Sequence, residues 1–131
     1  MSPSGAHSTR LALAPSAESA AAARDTLREL LDADGVGGEL RETAVLLANE
    51  LVTNAVEHSG GAAGLLAVVR PDVIRLEVAD SSAAMPVANR SASELDERGR
   101  GLLIVGALAS RWGTDSMPGG KIVWCEVDRS H

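Results

Sequence analysis

Leu47-Ala48-Asn49-Glu50-Leu51-Val52-Thr53-Asn54-Ala55-Val56-Glu57-His58-Ser59 decides how this chain folds. It closes a run from Glu39 to Ser59 without proline or glycine, which reads as one amphipathic helix. At the helical period, Glu50, Asn54 and Glu57 share a narrow stripe, while Ala44, Val45, Ala48, Leu51, Val52 and Ala55 cover the broad opposite side. A solvated face is the ordinary reason for such a stripe. A carboxylate and a carboxamide one turn apart can also hold a hard cation and orient a proton acceptor, so the flanking sequence must decide.

Upstream, Arg10 to Ala14 has the length of a short strand, and Pro15-Ser16 marks a boundary. Ser16 is a candidate N-cap, with Glu18 favourable in the first turn. The helix it would open runs to about Leu31, with Ala20, Ala23, Leu27, Leu30 and Leu31 as its buried stripe. Arg24 and Arg28 share another of its faces, where solvent or an acidic partner would meet them. Asp34-Gly35-Val36-Gly37-Gly38 is a loop. Residues 1–9 read as a disordered tail, 10–128 as one domain, and 129–131 as a second tail.

Downstream, Ser59-Gly60-Gly61 stops the organising helix. His58, in its last turn, has no second ligand at metal spacing. Leu65 to Val69 and Val73 to Asp80 form a hairpin around Pro71-Asp72. In the second strand Ile74, Leu76 and Val78 point one way, and parity puts Asp80 with them. An acid in phase with a core is costly unless something hydrogen-bonds to it; the alternative is a strand one residue shorter, with Asp80 capping a turn.

Ser81 to Arg98 lacks periodicity and has the length of a lid. It leads into Gly99-Arg100-Gly101-Leu102, where a helix opens on two glycines whose backbone amides are able to approach an anion. Arg111 to Thr114 and Lys121 to Val127 read as a closing pair of strands around Met117-Pro118-Gly119-Gly120, with Cys125 buried and inert.

Composition narrows the options. The 131 residues suffice for one domain with a core, and net charge is −6, against a dedicated nucleic-acid binder. Phe and Tyr are absent and only Trp112 and Trp124 are aromatic, so there is no platform for stacking bases. One cysteine excludes an intrachain disulfide framework. No apolar run is long enough to span a membrane and residues 1–10 lack a signal core, so the expected location is the cytoplasm.

Taken in order, the Glu50/Asn54 helix, the strand ending in Asp80 and the glycine pair resemble the Bergerat-type ATP-binding domain of gyrase, histidine kinases and the MutL proteins. Glu50 to His58 looks like that family's N box, and Gly99-Arg100-Gly101-Leu102 like its second glycine box. Arg111-Trp112-Gly113 and Pro118-Gly119-Gly120-Lys121 resemble the actinobacterial branch of the stand-alone anti-sigma-factor serine kinases. The resemblance spans about Leu11 to Val127.

It implies an α+β fold: a two-layer α/β sandwich with a mostly antiparallel mixed sheet covered on one face by helices. It implies ATP and Mg²⁺ as cofactors. Asn54 would ligate Mg²⁺, Glu50 would be the catalytic base, and Asp80 would accept the adenine amino proton. Gly99, Arg100, Gly101 and Leu102 would hold the phosphates under the 81–98 lid. The implied activity is serine/threonine phosphorylation of a small antagonist protein, with a sigma factor as a further partner and a homodimer among the assemblies allowed. No direct nucleic-acid or membrane contact is implied. Two departures fall at the adenine end: Asp80-Ser81-Ser82 lacks the family's Asp-x-Gly glycine, and Ile122 stands where members often carry a Thr. They leave room for a non-catalytic module that sequesters a partner.

Overall fold

A computed structural model describes residues 7–14, 16–59, 63–80 and 100–129, the side chains of 58, 59 and 100–102 excepted. The elements run β1 (His7–Leu13), α1 (Glu18–Ala33), α2 (Gly38–Ser59), β2 (Ala63–Val69), β3 (Val73–Asp80), α3 (Arg100–Leu108), β4 (Arg111–Met117) and β5 (Gly120–Asp128). The strands form one sheet in the order β1-β2-β3-β5-β4. Every ladder among the described residues is antiparallel, so the mostly antiparallel sheet expected from the sequence is antiparallel throughout them. The reason lies in the connection: β4 runs parallel to β3, but β5 folds back between them and pairs with both. The helices cover one face, giving the two-layer α+β architecture.

The core fills the space between that face and α1 and α2. Ala23, Leu27 and Leu31 recur every four residues and are fully buried. Ala20 and Leu30, expected beside them, pack at the margin. Ser16 does not cap α1. Ala17 precedes the helix without a side-chain cap, and Ser19 Oγ instead donates to Ala14 O at 2.6 Å, tying the helix to the end of β1. The far end closes as a Schellman motif: Val36 N donates to Leu31 O at 2.8 Å and Gly35 N to Asp32 O at 3.1 Å, with Gly35 at φ +72°.

α2 starts one residue before the glycine-free run and buries Ala44, Leu47, Ala48, Leu51, Val52 and Ala55. It packs on β3 and on α3, while α1 packs on β1 and on α2. β1 begins at His7, within the stretch expected as a tail, because residues from His7 onward pair with β2, starting with His7 against Val69. β4 likewise runs on to Met117, three residues past the expected Thr114. On the uncovered face of the sheet, Arg75 lies 4.5 Å from the Trp124 ring centroid and bonds Glu77 at 2.8 Å and Glu126 at 3.0 Å. Burial lowers the affinity of Arg75 for its proton, but its two carboxylate partners outweigh that and raise its pKa. Among the described residues, no helix is long and apolar enough to cross a membrane.

Candidate functional site

α2 supplies the first two candidates. Its polar stripe divides: Glu50 and Asn54 are half-buried, whereas Glu57 stands in solvent. Asn54 Nδ2 is buried and has no hydrogen-bond partner. An unsatisfied buried amide costs about 1–3 kcal/mol, so its presence asks for a ligand or another compensating role. Among the described residues no three His, Cys, Asp or Glu side chains converge to hold a metal. A hard cation beside Asn54 would therefore draw most of its oxygens from water and from its own ligand.

β3 supplies the third. The strand ends at Asp80 in phase with Ile74, Leu76 and Val78, as parity predicts, and Asp80 is only 6% exposed. Its antiparallel partner in β5 is Lys121, itself 4% exposed, and Lys121 Nζ donates to Asp80 Oδ1 at 3.2 Å. A buried carboxylate and ammonium are tolerable together because each offsets the desolvation of the other. Asp80 also lines a cleft of about 260 Å³ at the end of the sheet, shared with Ala63, Ala79 and the 117–120 turn. Neither Glu50 nor Asn54 lines that cleft.

Ile122 does not stand beside the acid. It pairs with Ala79 and points, with Trp124 and Glu126, to the uncovered face of the sheet. Lys121 therefore holds the place next to Asp80 that the sequence reading gave to Ile122. The signal was available: counting back by twos from the buried Val127, Cys125 and Val123 lands on Lys121.

The glycine pair is only partly in view. α3 starts at Arg100, so Gly101 falls in its first turn, as expected of a helix opening on that motif. Gly99 and the 81–98 loop lie outside the described residues, as do the side chains of Arg100 and Leu102. What the fold does show is that α2 touches both β3 and α3. The elements carrying Asn54, Asp80 and Gly101 thus meet around one helix.

Two further features escaped the sequence reading. Arg24 is not simply solvated: its Nη1 donates to Asn49 Oδ1 at 2.5 Å, linking α1 to α2. Arg24, Arg28 and Arg41 border a groove of about 420 Å³ floored by Val45 and Leu46. No run in the sequence marks it, since the three arginines come from two helices. Cys125 behaves as expected. It is fully buried, and burial pushes its thiol up to about 12.

A family model described as "Histidine kinase-like ATPase domain" matches residues 13–126. No curated protein matches the chain. Among solved structures, a chain of the SiaB–SiaC complex from Pseudomonas aeruginosa superposes with a TM-score of 0.64 at 13% identity. That match covers 92% of this chain and 89% of the other, and it establishes a shared fold.

Proposed function

The chain belongs to the histidine kinase-like ATPase domain family, and from that premise we infer that it binds ATP with Mg²⁺ and regulates a partner protein. The observation that carries the reading is Asn54, whose buried Nδ2 is left unpartnered in the fold and so asks for an acceptor such as a phosphate oxygen. In this reading the Asn54 side-chain oxygen joins the shell of Mg²⁺, an ion that favours hard oxygen ligands and keeps several waters. The bound ion supplies neutralisation of charge on the phosphate oxygens. Asp80 accepts the adenine amino proton, and the Gly99 and Gly101 amides, with Arg100 and Leu102 beside them, cradle the phosphates.

The finer proposal is a protein serine/threonine kinase of the anti-sigma-factor type. Glu50, one turn before Asn54 on the same helix and half-buried, then orients the incoming hydroxyl and takes its proton. Phosphoryl transfer asks the protein for positioning and charge stabilisation more than covalent help, so one carboxylate in the right place suffices. The fold is shared with a protein crystallised in a two-protein complex, which supports a protein partner for this chain as well. A small antagonist protein as substrate, a sigma factor as second partner and a homodimer complete the proposal, set in the bacterial cytoplasm.

Calorimetric titration with ATP, with and without Mg²⁺, tests the core of it. Saturable binding that tightens with Mg²⁺, and loses that increment in Asn54→Ala, is the expected result. A flat titration at millimolar nucleotide sinks it. One observation favours the alternative of a non-catalytic sequestering module: Asp80 already holds an internal ammonium, Lys121, at 3.2 Å. On that reading the pair closes the base end of the site, and partner binding proceeds without nucleotide.

A further inference from the structure

The inward-facing positions of β5 are Lys121, Val123, Cys125 and Val127, and all four are buried. Three are apolar and one carries a charge. A lysine taken out of water at a sheet position loses several kcal/mol of hydration, which its partner repays only in good geometry. Neutralising Asp80 does not by itself require a lysine. A hydroxyl or backbone donor can also satisfy a carboxylate. Lys121 also sits where it matters for a ligand: Gly119 and Gly120, just before it, line the same cleft as Asp80. The structure thus sets a strong donor 3.2 Å behind a strong acceptor, Asp80, that lines the cleft.

We propose that Lys121 is the second base-reading residue of this site, donating to ring nitrogen N1 of adenine while Asp80 accepts from the neighbouring 6-amino group. The inference rests on the reading of Asp80 as the adenine acceptor. Its chemistry is that of the base's Watson–Crick edge, where a donor amine and an acceptor nitrogen lie side by side. An ammonium has three donors and a carboxylate about four lone-pair sites, so their mutual bond is compatible with each meeting the base. Lys121 thereby gives the base a direct, charge-assisted hydrogen bond. It makes selectivity depend on N1, because a buried ammonium facing a C–H is left without that partner.

The test is titration of the full chain with ATP and with 1-deaza-ATP, in which N1 is replaced by a C–H, under identical Mg²⁺. Wild type should bind the analogue about tenfold or more weakly, the effect of withdrawing one hydrogen bond from a charged group. Lys121→Met should bind the two nucleotides within about twofold of one another, since no donor remains to miss the acceptor. Equal affinities in wild type overturn the proposal without any variant, so a folding defect in Lys121→Met does not shelter it. Discrimination that persists in a folded Lys121→Met or Lys121→Thr overturns it as well. Failure of wild type to bind any nucleotide is a distinct result, which removes the ATP reading of the site and this inference with it.

Discussion

Asn54 is held in the fold at a loss. Its Nδ2 is buried without a partner, a condition that costs about 1–3 kcal/mol. Asn54→Leu, close in volume and free of polar atoms, should therefore raise the unfolding free energy by about 1 kcal/mol in urea titration. The same variant should lose the Mg²⁺-dependent part of nucleotide binding. A destabilised Asn54→Leu would mean that the carboxamide supports the fold. Cys125 gives a pH prediction. Burial raises its thiol from 9.0 to about 12 in the folded chain. The unfolded chain therefore releases this proton first as pH rises. Stability tied to Cys125 is intact below about pH 9 and falls toward pH 12. Unfolding of wild type and Cys125→Val across that window should diverge, with the wild type losing more. At neutral pH the native thiol should resist alkylation until the chain unfolds.

At the scale of elements, β4 and β5 are locked by one contact of small and large. A Cβ placed on Gly113 would lie 2.8 Å from Trp124 Cζ2, and the same indole carries the Arg75 guanidinium 4.5 Å from its ring centroid. A rigid ring cannot swing aside as a flexible chain end does. Gly113→Ala should cost about 1–3 kcal/mol in thermal or urea unfolding, and it should quench or shift Trp124 fluorescence. The sequence was most legible where an element has two different faces. α2 declared itself by length and by the break between its apolar and polar sides, and β3 by strict alternation up to Asp80. It was least legible at the sheet margins. β1 and β4 are the outer strands of the sheet, and β4 is mostly exposed through Asp115, Ser116 and Met117. Without burial on one side, a strand carries no period to read. Lys121 is a different case: β5 alternates plainly, and its alternation with Val123, Cys125 and Val127 is what puts Lys121 beside Asp80.

For the molecule as a whole, the ATP reading makes separable demands on its parts. Glu50→Ala should leave nucleotide affinity within about twofold, because its proposed task begins only once a hydroxyl is present, while abolishing transfer of labelled phosphate to an antagonist protein. Asp80→Asn should act the other way, weakening binding by about tenfold or more through a lost charged hydrogen bond. Equal nucleotide affinity in Asp80→Asn and wild type would remove the acid from the site. The sequence carried the order of the elements, but not how β5 enters the sheet. That placement depends on contacts between positions far apart in the chain, which local pattern does not encode.

The insertion of β5 between β3 and β4 has a consequence for synthesis. When the ribosome has delivered β1, β2 and β3, these strands can already pair in sequence, but β3 then presents a bare flank and an acid not yet joined by Lys121, which lies 41 positions downstream. Such a flank invites pairing with other nascent chains. The end of the cleft around Asp80 is consequently the last region to mature, and a translation pause or truncation before residue 120 should leave an aggregation-prone fragment without that cleft, however complete α2 is.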